Sequence, residues 1–94
     1  MAKNHFDEAM KSFVWKIAGI QSQLELIHGT WAKMIGVTEP QWVILMAVDD
    51  LDKGNGVTGT DIAAKIRVHP AFITTQTKSL EKAGLLARET SPAD

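Results

Sequence analysis

The sequence predicts a mainly α-helical fold built around a helix-turn-helix, and three observations carry that expectation. Apolar residues from Phe6 to Met34 recur at alternating spacings of four and three, the repeat of one helix face. Thr38-Glu39-Pro40-Gln41 has the composition of a reciprocal cap that opens a helix. Two short helical segments, 59–66 and 70–83, are separated by three residues, the layout of a helix-turn-helix.

The first element is the longest. Phe6, Met10, Phe13, Ile17, Ile20, Leu24, Ile27, Trp31 and Met34 form its stripe, and Val14, Trp15 and Leu26 broaden it. Asn4 is the expected N-cap, and Gly36 stands where a left-handed residue ends a helix. Gly19 and Gly29 each weaken it by about 1 kcal/mol relative to Ala, so a bend is expected near Gly29. So long a helix cannot bury its whole stripe on a small domain. It is expected to project and to pack on a second chain or on sequence beyond residue 94. The alternative is one curved helix lying on its own core.

The apolar run Trp42 to Val48 passes for a buried strand by periodicity, but the preceding cap and the continuation to Leu51 make it a helix. Asp49 to Gly56 then reads as a polar loop, with Gly54-Asn55-Gly56 as its turn. After an extended Val57, Thr58 caps helix 59–66, and Asp61 favours that helix's positive end. Pro70 fits the first position of helix 70–83, where a missing N–H costs nothing. Small Ala63 is expected where the two helices cross, with Val68 of the turn pointing into the core. Leu85 to Thr90 reads as a strand and Ser91 to Asp94 as a turn, which extend the unit to a winged helix with a short β-wing.

Composition bounds the function classes. Ninety-four residues suit one compact domain, and 45% hydrophobic with 22% charged residues is an ordinary globular balance. Cysteine is absent, which removes disulfides, thiol nucleophiles and thiolate metal sites and agrees with a cytoplasmic location. No apolar run approaches the ~20 residues of a membrane span, and the N-terminus has no secretory pattern, so no membrane partner is expected. The net charge of −1 conceals a segregation. Residues 1–64 carry five basic against eight acidic residues; residues 65–88 carry five basic residues and only Glu81. Such a segment attracts phosphates locally, because salt screens the acidic part beyond ~8–10 Å. On charge alone, a solvated helix face remains the alternative.

The wider string is more specific. Gly36-Val37-Thr38-x-x-Gln41-Trp42-x-x-Leu45 precedes Val57-Thr58-x-x-Asp61-Ile62-Ala63-x-x-Ile66. Ile73-Thr74, Leu80-Glu81-x-x-Gly84-Leu85-Leu86-x-Arg88 and Ser91-Pro92-x-Asp94 follow. In that order and at those distances the chain resembles the MarR family of bacterial transcriptional regulators, by motif over residues 36–94 and more weakly over 5–35. The resemblance implies a homodimer on pseudo-palindromic promoter DNA, with helix 70–83 in the major groove and the wing near the minor groove. It also implies release by a small aromatic or anionic effector lodged between the dimer helices and the reading head. On this reading residues 1–35 are the dimerisation helix, with Phe6, Met10, Phe13 and Ile17 on its contact face. Residues 36–94 are the winged helix-turn-helix, with the wing incomplete. The family's C-terminal dimer helices have no counterpart, so the chain is expected to be a truncated member. Thr90, Ser91 and Asp94 stand in the wing. Arg67 replaces a common Gly in the turn, which points to a phosphate contact rather than a tight turn. His69 is a poorer cap than Ser or Asp, and Thr75 stands where several members have Arg.

The candidate site residues divide by chemistry. On helix 70–83, Ala71, Thr75, Lys78 and Ser79 face outward and Phe72, Thr74 and Gln76 flank them, if Ile73, Thr77 and Leu80 face the core. Thr and Ala meet a thymine methyl, and a Gln turned outward pairs with adenine, so Ala71, Phe72, Thr74, Thr75, Gln76 and Lys78 are the candidate base readers. Thr58, Lys65, Arg67, His69 and Arg88 are candidate phosphate contacts, which position without reading sequence. His28 and Trp31 fall where an effector pocket borders the first helix, although a Trp on a periodic stripe is usually core. His5, His28 and His69 lie far apart without carboxylates at ligand spacing, so no metal and no cofactor are expected. Gly54-x-Gly56-x-x-Gly59 mimics a dinucleotide fingerprint, but no strand precedes it. No catalytic constellation is present, so an enzyme is not expected. The rival reading is a winged helix that binds protein instead of DNA; it requires larger apolar anchors than Ala71, Thr75 and Ser79, and only Phe72 leans that way.

Overall fold

The computed structural model describes residues 5–89, and four helices make up its regular structure: α1 (Glu8–Ile35), α2 (Glu39–Leu51), α3 (Gly59–Ile66) and α4 (Pro70–Lys82). Helix α1 starts later than the sequence suggests. Asp7, rather than Asn4, is its N-cap, because the Asp7 carboxylate accepts from the Met10 amide at 3.1 Å. Phe6 therefore precedes the helix instead of belonging to its face. The helix runs unbroken through Gly19 and Gly29 and ends at Gly36, whose φ of 86° is the left-handed conformation expected there. The absent side chain of Gly29 leaves room for the Glu39 carboxylate of α2: an added Cβ would lie 2.9 Å from Glu39 Oε1.

A three-residue joint, Gly36 to Thr38, turns the chain into α2. The expected capping box is complete: Gln41 N–H donates to Thr38 Oγ1 at 3.2 Å, and Thr38 N–H donates to Gln41 Oε1 at 3.1 Å. Helix α2 extends through Asp49 and Asp50, so the loop begins at Asp52 rather than Asp49. There the Asp52 carboxylate accepts from the amides of Gly54 and Gly56 at 2.8 and 2.9 Å. These bonds organise the turn and hold the Asp52 carboxyl below its ordinary value.

The core lies where α2, α3 and α4 meet. Ile44, Ala47, Ile62, Ala63, Ile73 and Leu80 are buried, with Val37, Leu45, Val48, Val57, Ile66 and Leu86 packed around them. Helix α1 meets only α2 among the helices and buries a single residue, Ala32. A helix of 28 residues spans about 42 Å. It stretches the chain to a longest extent of 60 Å and a radius of gyration of 17.8 Å, against about 12 Å for a compact chain of this length.

Three further expectations are corrected. No strand occurs among the described residues: Leu85 to Glu89 are irregular, and Thr90, Ser91 and Asp94 lie outside the described residues. No partner strand is present among the described residues for the segment to pair with. Val68 is exposed rather than turned inward. Trp31 is also exposed, since the stripe it belongs to faces away from the core.

Candidate nucleic-acid interface

Two turns position the reading helix. Helix α3 begins at Thr58, whose Oγ1 accepts from the Asp61 amide at 3.1 Å, and ends at Arg67. Arg67 has φ 62° and ψ 50°, the only described non-glycine residue with positive φ. The turn is therefore tight despite the Arg, contrary to the sequence expectation. The Val68 amide closes it by donating to the Ala63 carbonyl at 3.0 Å. A side chain in this conformation costs about 1–2 kcal/mol that glycine would not, so Arg67 is held there at the expense of local strain.

His69 then caps α4. Its Nδ1 accepts from the Ala71 amide at 3.1 Å, which requires a lone pair on that nitrogen and places the imidazole hydrogen on Nε2. Pro70 opens the helix and Ile73 and Leu80, each 1% exposed, lock its inner face to the core. The outer face follows from that anchoring: Ala71, Phe72, Thr74, Thr75, Lys78 and Ser79 are exposed, while Gln76 and Thr77 are half-buried.

The threonines share one habit. Thr74 and Thr75 donate their hydroxyls to the carbonyls of Pro70 and Ala71 at 3.3 and 3.2 Å. Thr77 does the same to Ile73 at 2.9 Å. With its hydrogen committed to the backbone, each exposed Thr offers a partner its methyl group and acceptor lone pairs. The oxygen of half-buried Gln76 is turned inward: Oε1 accepts from Gln41 Nε2 at 3.1 Å, and the same nitrogen donates to Ser79 Oγ at 3.3 Å. The periodicity of α4 placed Gln76 on the flank but carried no sign of this link, whose partner is thirty-five residues away.

The cations of the basic segment fall into two groups. Lys65 Nζ lies 3.0 Å from Asp50 of α2, which holds the Asp50 carboxyl below its ordinary value, chiefly by that hydrogen bond. Arg88 Nε lies 2.7 Å from Glu81 Oε1. Arg67, Lys78 and Lys82 have no ion-pair partner among the described residues. Asp50 lies outside the counted segment, and a count that included Glu81 carried no sign that it pairs with Arg88.

On α1, Met10, Phe13 and Ile17 are exposed at the positions expected of a contact face. His28 is half-buried and packs on Trp42, with ring centroids 5.0 Å apart and planes tilted by 41°. An open cleft of about 480 Å³ lies between the end of α1 and the start of α2, lined by Glu25, Leu26, Gly29, Lys33, Val37 and Glu39 among others. Neither His28 nor Trp31 lines it. No helix is long and apolar enough to cross a membrane among the described residues. Residues 37–94 match the family model described as MarR family. Neither a curated protein nor a solved structure matches the chain.

Proposed function

The chain belongs to the MarR family, a family of DNA-binding transcription regulators, and on that premise we propose that it is a sequence-specific regulator that reads promoter DNA with α4. The observation that carries this reading is the outer face of that helix. Its anchored inner side leaves Ala71, Thr74, Thr75 and Lys78 exposed, all small or extended enough for a helix to sit deep in a major groove. Arg67 is free of ion pairs among the described residues and supplies phosphate attraction, with Thr58, Lys65, His69 and Arg88 as further backbone contacts, while Lys78, equally unpaired among them, serves the base-reading face. We read the regulator as a cytoplasmic homodimer on a pseudo-palindromic site, a repressor released by a small aromatic or anionic effector. The uncovered stripe of α1 supports the dimer, and the cleft beside α2 supports the effector.

Guanine is best specified by an Arg fork on O6 and N7, and no Arg lies between His69 and Leu86. Methyl groups from Thr74, Thr75 and Ala71 suit thymine, so the half-sites are A·T-rich, and replacing one preferred pair costs about 1–3 kcal/mol. Selection from randomised duplex DNA tests this. Enrichment of A·T pairs under Ala71 to Lys78 is expected; enrichment of G·C pairs there contradicts the assignment. The protein-binding alternative draws on one observation, the partial exposure of Phe72, and predicts no enriched DNA at all.

A further inference from the structure

We propose that Gln41, on α2 and behind the reading face, is a specificity-determining positioning residue: it holds Gln76 and Ser79 so that both present hydrogen-bond donors to DNA. The proposal rests on the DNA-reading role of α4 and deepens it. The capping box of α2 sets the first constraint. A backbone N–H can only donate, so the Thr38 amide fixes Gln41 Oε1 as the acceptor of the 3.1 Å bond between them. The opposite end of the Gln41 side chain must then be its NH₂ group, which has two hydrogens to give. One goes to Gln76 at 3.1 Å and the other to Ser79 at 3.3 Å.

The consequence propagates to the reading helix. Since Gln41 delivers a hydrogen, Gln76 must meet it with Oε1, which leaves the Gln76 NH₂ as the end available to a partner. Ser79 likewise receives at Oγ and keeps its own hydrogen to donate. The orientation of three side chains is thus set by one backbone amide in the joint between α1 and α2. Bidentate recognition of adenine needs both the oxygen and the NH₂ of a glutamine. With its oxygen held toward Gln41, Gln76 meets DNA with its NH₂ end, which suits acceptor edges: N7 or O6 of guanine, N7 of adenine, O4 of thymine, or a phosphate. Thr74 and Thr75 have the opposite polarity, since their hydroxyl hydrogens are committed to the backbone. The face therefore divides into an acceptor-and-methyl part near its start and a donor part at Gln76 and Ser79.

Gln41→Glu is the informative variant. A carboxylate at this position still accepts from the Thr38 amide, as Glu does in capping boxes, so α2 keeps its start. It has no hydrogen to give, so Gln76 reverses its amide, donates to residue 41 and turns Oε1 toward DNA. The DNA-free protein provides the first readout, by NMR of the side-chain amides. The Gln41 NH₂ protons should exchange slowly with water, and the Gln76 amide signals should move in Gln41→Glu. Selection from randomised duplexes provides the second. Relative preference at the pair beneath Gln76 should shift by roughly tenfold from acceptor edges toward the donor edges of adenine N6 or cytosine N4. Comparing ratios within each protein cancels the general loss of affinity caused by the added charge. Rapidly exchanging Gln41 protons, or an unchanged preference in a variant that still binds, overturns the proposal. Should neither protein select any DNA, the specificity role falls together with the DNA-reading function, and the NMR result shows whether the clamp itself exists.

Discussion

Helix α1 and the α2–α4 head are about equally rich in apolar residues, yet they use them in opposite ways. Twelve large hydrophobic side chains of α1 are exposed and only Ala32 is buried. In α2, α3 and α4 the exposed large hydrophobics are Met46 and Phe72, while Ile44, Ile73 and Leu80 are almost fully enclosed. The difference teaches that the head is folded by its own side chains and that the apolar stripe of α1 is left uncovered by them, as the proposed dimer requires. Mutations in the two regions should therefore separate stability from assembly.

The largest effect belongs to the head. Ile44→Ala opens a cavity at a site with 0% exposure and should destabilise the fold by about 2–5 kcal/mol, read by chemical denaturation. A cost below about 1 kcal/mol would mean that the head is not the stable unit. On α1, Ile17→Asp should leave the melting of the head within about 0.5 kcal/mol of wild type while weakening self-association by roughly tenfold or more, measured by sedimentation. A wild type that is monomeric, or a variant that associates equally well, would erase the contrast.

Arg67 sharpens the comparison inside the head, because its backbone and its charge serve different ends. Arg67→Gly relieves the left-handed strain and should raise stability by up to about 1 kcal/mol while weakening DNA binding. Arg67→Ala loses the charge without relieving the strain, so it should weaken binding with no gain in stability. The smallest effect is at Asp52, whose carboxyl is held below 3.8 by the amides of Gly54 and Gly56. A depressed value means that its contribution is present above pH 3.8 and fades as the pH falls through the folded-state value. Asp52→Ala should remove a small acid-limb component from an equilibrium pH titration of stability; an acid limb identical to wild type would contradict this.

What the sequence revealed follows from the range of each interaction. Caps and turns are local, so Thr38, Gln41, Thr58, Pro70 and Gly36 could be placed from neighbouring residues alone. The same logic located the inner face of α4, because Ile73 and Leu80 repeat at helical spacing. Residue type alone favours Asn4 as the first cap, whereas the cap is Asp7, whose carboxylate accepts from the Met10 amide three residues on. The strand expected after Gly84 was read from propensity, but a strand exists only where another pairs with it. Longer-range links escaped altogether. Lys65 with Asp50 and Gln41 with Gln76 join residues whose proximity depends on how the helices pack, and Arg88 with Glu81 depends on the path of the irregular segment after α4. These pairings matter most for the interface, since they sort apparently equivalent cations into engaged and unengaged ones.

That sorting gives the most direct test of the central claim, that α4 and its flanking turns form a DNA interface. Affinity for duplex DNA should be titrated across a salt series for the wild type, Arg67→Ala and Arg88→Ala. The wild type should show a steep fall of affinity with salt, and Arg67→Ala should lower that slope by about one unit for every duplex tested. Arg88→Ala should lower it by less, because Arg88 must give up Glu81 to reach a phosphate. No binding to any duplex at low salt, or a slope unmoved by Arg67→Ala, would contradict the account.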